Sequence, residues 1–162
     1  MIDWALSATL LHVLVAFVFV AGLLGRWVLL SRAQRASDIE QVHVLASAAA
    51  PFERMVVIGS MLILPAGLLA GWARGYPALG LGTGWVLVAT ILFLTLVPLV
   101  PLVFIPRGRI FDAELTEARQ AGEVTPGLRA AFADRRVSLA RTYEISAVLL
   151  IVALMVLKPD LW

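Results

Sequence analysis

Cysteine is absent from the 162 residues, which excludes thiolate catalysis, zinc–thiolate sites, iron–sulfur clusters and a disulfide scaffold. Charge is scarce: 15% of the residues are Asp, Glu, Lys or Arg, against about a quarter in soluble domains. Lysine occurs once, at Lys158, so 12 of the 13 basic residues behind the net charge of +2 are arginines. The chain shows no repeat and no low-complexity tract. It also lacks any pattern for phosphate binding, for a nucleophile with its base, or for paired catalytic carboxylates. What it has in quantity is apolar side chain, 61% of the residues, with a mean hydropathy of +0.94. A soluble core of this size cannot hide so much apolar surface, so the excess must face lipid. Disordered chains and basic nucleic-acid modules are excluded on the same ground, and no nucleic-acid partner is expected.

A bilayer-crossing helix needs about 20 apolar residues. Ala5 to Gly25 supplies 21, interrupted only by His12; Met55 to Ala73 supplies 19 and Trp85 to Ile105 supplies 21. The fourth run, Ile145 to Leu157, has only 13, so that helix must draw Glu144 to the hydrocarbon boundary, where an unpaired charge is costly. The expected fold is all-α: a four-helix transmembrane bundle in one domain, 1–162, with spans about 4–26, 52–73, 85–105 and 141–158. The first span reads as an anchor rather than a cleaved signal, because its leading residues are acidic and its apolar run is long.

Arginine placement orients the bundle. Eleven basic residues fall at or in the connections after spans one and three, whereas only Arg74 and Lys158 fall on the other side. By the positive-inside rule both termini face outward, into the periplasm of a bacterial inner membrane. Trp4, Trp72, Trp85 and Trp162 sit at outer helix ends like an aromatic belt. The inner connections carry helix signals. Ser37-Asp38-Ile39-Glu40 reads as a capping box opening a short amphipathic helix that leads to Pro51. A second surface helix runs from Ile110 to Ala121 and is stopped by Gly122. Thr125-Pro126 opens a helix expected to run unbroken into span four.

Few polar residues are placed to carry chemistry. His12 lies about 12 Å from Trp4 at ~1.5 Å per residue, sharing a helix face with Ala5, Ala8, Ala16 and Phe19. It suits an axial ligand to haem iron, or a histidine bonded to a neighbouring helix. Copper is disfavoured, with Met61 and Met155 the only soft ligands near that depth, and His43 is on the inner surface helix. Arg26 and Glu144 reach the inner boundary together, either as a buried pair that fixes register or anchors an anionic group, or as a snorkelling arginine and a border glutamate. Pro98 and Pro101 should distort the inner half of span three, which Pro106 ends. Pro65 with the Ala66/Ala70 and Gly67/Gly71 spacing marks close helix packing in span two.

The first helix, Leu11-His12-Val13 to Phe19-Val20-Ala21-Gly22-Leu23 and Arg26, resembles that of HemJ-type protoporphyrinogen oxidases and CopD-like membrane proteins. The closing Arg141-Thr142-Tyr143-Glu144, its apolar run and Lys158-Pro159 resemble the last helix of the same group. Pro51-Phe52-Glu53-Arg54, Pro98 to Arg109 and Ala130 to Asp134 look more like a sister family of bacterial integral membrane proteins of unknown function, a likeness covering nearly the whole chain. The resemblance implies a haem b site with His12 as the metal ligand, and Arg26, Glu144 and Lys158 as further cofactor-binding residues. It departs where HemJ-type proteins carry a lysine soon after a Gly-Trp pair: Gly84-Trp85 is followed by Val86-Leu87-Val88-Ala89, which speaks against protoporphyrinogen oxidation.

Haem b or porphyrin binding with a redox or haem-related role is the leading expectation, with any enzyme activity being that of a haem-dependent oxidoreductase. A non-catalytic accessory subunit of a larger membrane complex competes with it, and a small-solute permease is a third reading. The lipid bilayer is the one partner all three share; a homo-oligomer or a larger assembly would be further ones. The orientation is directly testable: reporter fusions at Ala121 and after Trp162 should report cytoplasm and periplasm respectively, and the reverse result overturns it.

Overall fold

The computed structural model describes residues 3–161; Trp162, placed in the aromatic belt above, lies outside them. Among the described residues the secondary structure is entirely helical: α1 (Trp4–Arg35), α2 (Ile39–Ala73), α3 (Gly84–Leu96), α4 (Ile105–Ala121), α5 (Pro126–Phe132) and α6 (Arg135–Leu157), with a 3₁₀ turn at Ala78–Gly80 and a π-helical segment at Val100–Phe104. Four helical stretches are long and apolar enough to cross a membrane, as expected: Trp4–Arg35, Ile39–Ala73, Gly84–Ala121 and Pro126–Leu157.

The helices outrun the bilayer. At ~1.5 Å per residue, the 32 residues of α1 and 35 of α2 extend well beyond a hydrocarbon core of about 30 Å. The separate interfacial helix ending at Pro51 is therefore corrected: it is the first part of α2, which continues through Pro51 and Pro65. Its cap is corrected too, because Asp38 rather than Ser37 accepts from the Glu40 and Gln41 amides. Nor does Pro106 end span three. The chain turns at Val97–Pro98, where the prolines remove donors, and continues as a π segment in which the Ile105 amide bonds Val100 five residues back. Pro106 then sits in the first turn of α4, where a missing N–H costs nothing. Gly122 ends α4 in the left-handed conformation and Thr125 caps α5 by accepting from the Leu128 amide, both as expected. The helix from Pro126 is not unbroken; it turns at Ala133–Asp134, and Asp134 caps α6 by accepting from the Arg136 and Val137 amides.

Two cores hold the molecule. In the membrane, Phe19 and Leu23 of α1, Val56 of α2, Phe93 and Leu96 of α3, and Ala147 and Val148 of α6 pack together. At the arginine-rich end, Ala33, Ile39, Val42, Ala118 and Leu128 form a second core, closed by the edge-to-face pair Phe111–Phe132 at 5.0 Å. The inner connections are thus a folded cap on the projecting ends of α1 and α2. Large side chains between the cores and the surface, such as Phe17 at 75% and Leu102 at 74% exposure, face what lipid would cover.

The most extensive packing is between α1 and α2, and glycine makes it possible. A Cβ on Gly22 would lie 2.9 Å from the Phe52 carbonyl oxygen and 3.0 Å from both Met55 and Val56 side-chain atoms; one on Gly59 would lie 2.8 Å from Phe19 Cβ. Gly25 lies under the Phe52 ring and Gly67 under the His12 ring. Each close approach seats a side chain of one helix in a gap on the other, along one antiparallel register. Gly22→Ala should lower thermal stability in detergent by about 1–3 kcal/mol, because the added Cβ would meet the Phe52 backbone, which yields less readily than a side chain. Gly108→Ala, which meets nothing within 4 Å, should be neutral or stabilising by up to about 1 kcal/mol through helix propensity. Equal melting temperatures for the two variants would contradict the seam.

Candidate functional site

The bundle is two helix pairs, α1 with α2 and α3 with α6, that meet sparsely. Towards Trp4 and Lys158 they part and leave a cleft of about 410 Å³, within the roughly 300–1,000 Å³ range of small-molecule sites. Its floor is Phe19, Phe93 and Val148 of the membrane core, its walls are aliphatic, and its rim carries Thr9, Arg74, Tyr76, Trp85 and Lys158.

His12 lines this cleft. Its ring packs over Gly67, where a Cβ would sit 3.0 Å from Cε1 and 3.3 Å from Nδ1. Nδ1 is buried with no hydrogen-bond partner. Met155 of α6 lines the same cleft, whereas Met61 is 72% exposed. His43 belongs to the cap-side part of α2, and its Nδ1 is also buried without a partner. No group of three or more His, Cys, Asp or Glu gathers among the described residues; a haem iron needs only one or two axial side chains.

The four residues marked as cofactor-binding do not converge. Lys158 shares the cleft with His12, and its Nζ stands 5.9 Å from the centre of the Trp85 ring. Arg26 and Glu144 lie below the floor, on the arginine-rich side. There Arg26 Nη2 donates to Glu144 Oε2 at 3.3 Å, with the two side chains 13% and 6% exposed. The Arg26 guanidinium also lies 5.0 Å from the centre of the Phe104 ring, beside the π segment. Arg141, one turn before Glu144, acts electrostatically on both partners and buries an unpartnered Nε. Neighbouring Tyr143 hydrogen-bonds Thr95 of α3 through its hydroxyl, tying the two helices together. Glu53 and Arg54, at the start of the second span, form no ion pair among the described residues.

Arg74 is the rim residue that helix periodicity did not reveal. It caps α2, and its Nε donates to Thr9 Oγ1 at 2.8 Å, holding the guanidinium across to α1. The signal was present as one of only two basic residues on its side of the bundle. The tryptophans of the belt meet there too: Trp4 and Trp72 stack edge to face at 6.3 Å, and Trp85 does so with Tyr76 at 5.6 Å.

A four-helix bundle with lipid-sized apolar spans, an internal charge pair and a cleft open at one end defines an integral membrane protein. Residues 6–159, nearly the whole chain, match the family described as "Predicted integral membrane protein (DUF2269)", and the chain belongs to that family. Comparison with curated proteins and with solved structures returned no match.

The buried pair yields a double-mutant prediction. Arg26→Leu and Glu144→Leu should each destabilise the detergent-solubilised protein, by on the order of 3 kcal/mol, and the double variant should recover part of the loss. Glu144→Leu should cost more, because it strands two arginines, whereas Arg141 remains beside Glu144 when Arg26 is removed. Small, additive shifts in melting temperature would show that the pair contributes no coupling.

Proposed function

We propose that the chain is a bacterial inner-membrane protein, with both termini periplasmic, that binds haem b or a related porphyrin in the cleft through His12 and has a redox or haem-related role. The observation that carries this reading is the His12 imidazole: a single histidine lining an apolar cleft, with Nδ1 buried and without a hydrogen-bond partner. A neutral imidazole is also the form a low-dielectric site favours. The resemblance of the first and last helices to HemJ-type and CopD-like proteins supports the same reading.

Within it, the residues divide their work. His12 supplies the nitrogen ligand, and Gly67 leaves the space the ring fills. Met155 and Tyr76 also line the cleft and carry atoms able to coordinate iron. Phe19, Phe93 and Val148 close the floor and exclude water from below. Arg26 and Glu144 hold the helices beneath the cleft rather than touching its contents, so the cofactor role first assigned to them passes to the rim. Bound haem supplies one-electron chemistry that no side chain here can.

Purified in detergent and reconstituted with haem, the protein should show a Soret band and reducible α/β bands. His12→Ala should abolish them while leaving far-ultraviolet circular dichroism unchanged, since alanine is well tolerated in a helix. A colourless protein that copurifies with other membrane subunits would instead favour the accessory-subunit reading.

A further inference from the structure

Thirteen basic residues are distributed eleven to two between the ends of the bundle, and both members of the minority line the mouth of the same cleft. Arg74 projects from the end of α2 and Lys158 from the end of α6, one from each helix pair, so they face the opening from opposite sides. Neither has a carboxylate partner: among the described residues the ion pairs are Arg26–Glu144 and Arg107–Asp134. The acids at this end, Asp3 and Asp160, leave them unmatched, and the Asp3 carboxylate instead accepts from the Ala5 amide.

A cation at a helix C-terminus also complements the helix dipole. That role accounts for one charge per helix end, but not for the direction of the Arg74 side chain. Its Nε is fastened to Thr9 on the neighbouring helix, leaving the two terminal guanidinium nitrogens to donate. Thr9 Oγ1 is itself held by donating to the Ala5 carbonyl at 2.7 Å, so the arginine rests on an ordered support. Lys158, in the left-handed conformation with φ 45°, stands against the Trp85 ring at the opposite lip. Below the two cations the lining is apolar down to Phe19 and Phe93, apart from His12 and Thr90. The mouth therefore recognises negative charge and the interior recognises hydrocarbon or a flat ring.

From this we infer that Arg74 and Lys158 form a carboxylate clamp, and that the ligand of the cleft is an apolar body carrying two acid groups at one end, inserted acid-last from the side of the membrane bearing Trp4 and Lys158. The inference rests on the reading of the cleft as a porphyrin site and adds to it the acidic edge that the site requires and the direction of entry. Arg74 presents a fork that suits one carboxylate, and Lys158 presents a point charge for the other.

The test uses the full-length protein in neutral-phosphatidylcholine nanodiscs and metal-free protoporphyrin, so that His12 ligation plays no part. Porphyrin fluorescence should report binding of the free diacid at least about tenfold tighter than of its dimethyl ester, about 1.4 kcal/mol. Arg74→Gln with Lys158→Gln should bring the diacid to the affinity of the ester, with melting temperature as the control for folding, and His12→Ala should leave the preference intact. Equal affinity for diacid and ester, or a preference that survives the double variant, overturns the clamp while leaving haem ligation by His12 standing. Diacid selectivity without a His12-dependent Soret band supports the clamp and overturns the ligation. Displacement of the diacid by oleate at matching concentrations overturns the two-acid assignment in favour of a single-carboxylate lipid, and failure of the wild type to bind either porphyrin overturns both readings.

Discussion

Everything in this bundle is placed by the antiparallel seam between α1 and α2. In lipid, apolar side chains gain nothing by leaving one hydrocarbon surface for another, so helices associate through close packing and buried polar contacts. The seam achieves that closeness with glycine: Gly22 against Phe52, Met55 and Val56, Gly59 against Phe19, and Gly67 against His12. The ring–glycine pairings repeat along one register, which sets the depth of every residue on α1. His12 is raised into the half of the bundle that opens, Phe19 falls at the floor of the cleft, and Arg26 reaches the level of Glu144 on α6.

The two ends of the bundle arrange charge differently. At the arginine-rich end Arg26 pairs with Glu144 at 3.3 Å and Arg107 with Asp134 at 3.1 Å, while a second apolar core folds over the projecting helices. Asp134 serves twice there, capping α6 and holding Arg107 of α4, so the break before α6 also fastens the cap. At the other end, among the described residues, Arg74 and Lys158 are without a carboxylate partner and both line the cleft.

The sequence carried the spans, because an apolar run of bilayer length has no other stable use, and it carried the Arg26–Glu144 encounter, because the fourth run was too short to cross without Glu144. It carried close packing at Gly67 but not the partner, since a small residue marks a gap and not what fills it, and at Gly71 an added Cβ would meet only Tyr76, at 4.0 Å. Local punctuation misled where it was weighed without tertiary context. Pro51 and Pro106 looked like stops, yet both are accommodated within or at the start of continuing helices, and Asp38 outcompeted Ser37 for the same amides. The cleft was illegible for a different reason. It arises from two helix pairs that meet at one end and part at the other, which is a property of pairs of helices and leaves no period in any one of them.

That same geometry sets His12 both in the packing seam and at the wall of the cleft. In the seam, His12 does for Gly67 what Phe19 does for Gly59, and a phenylalanine would fill the slot as well. A phenylalanine, however, would leave no buried nitrogen without a partner, and burying an imidazole nitrogen unpaired carries a desolvation cost that packing alone does not require. Phe19 and Phe52 show that this seam accepts a pure hydrocarbon ring where only volume is needed. The one ring that instead carries a hydrogen-bonding nitrogen is also one placed at the wall of the cleft, beneath the two unmatched cations. Position and chemistry therefore fall on the same residue, and it is on this coincidence that the proposed ligand-binding role of His12 rests.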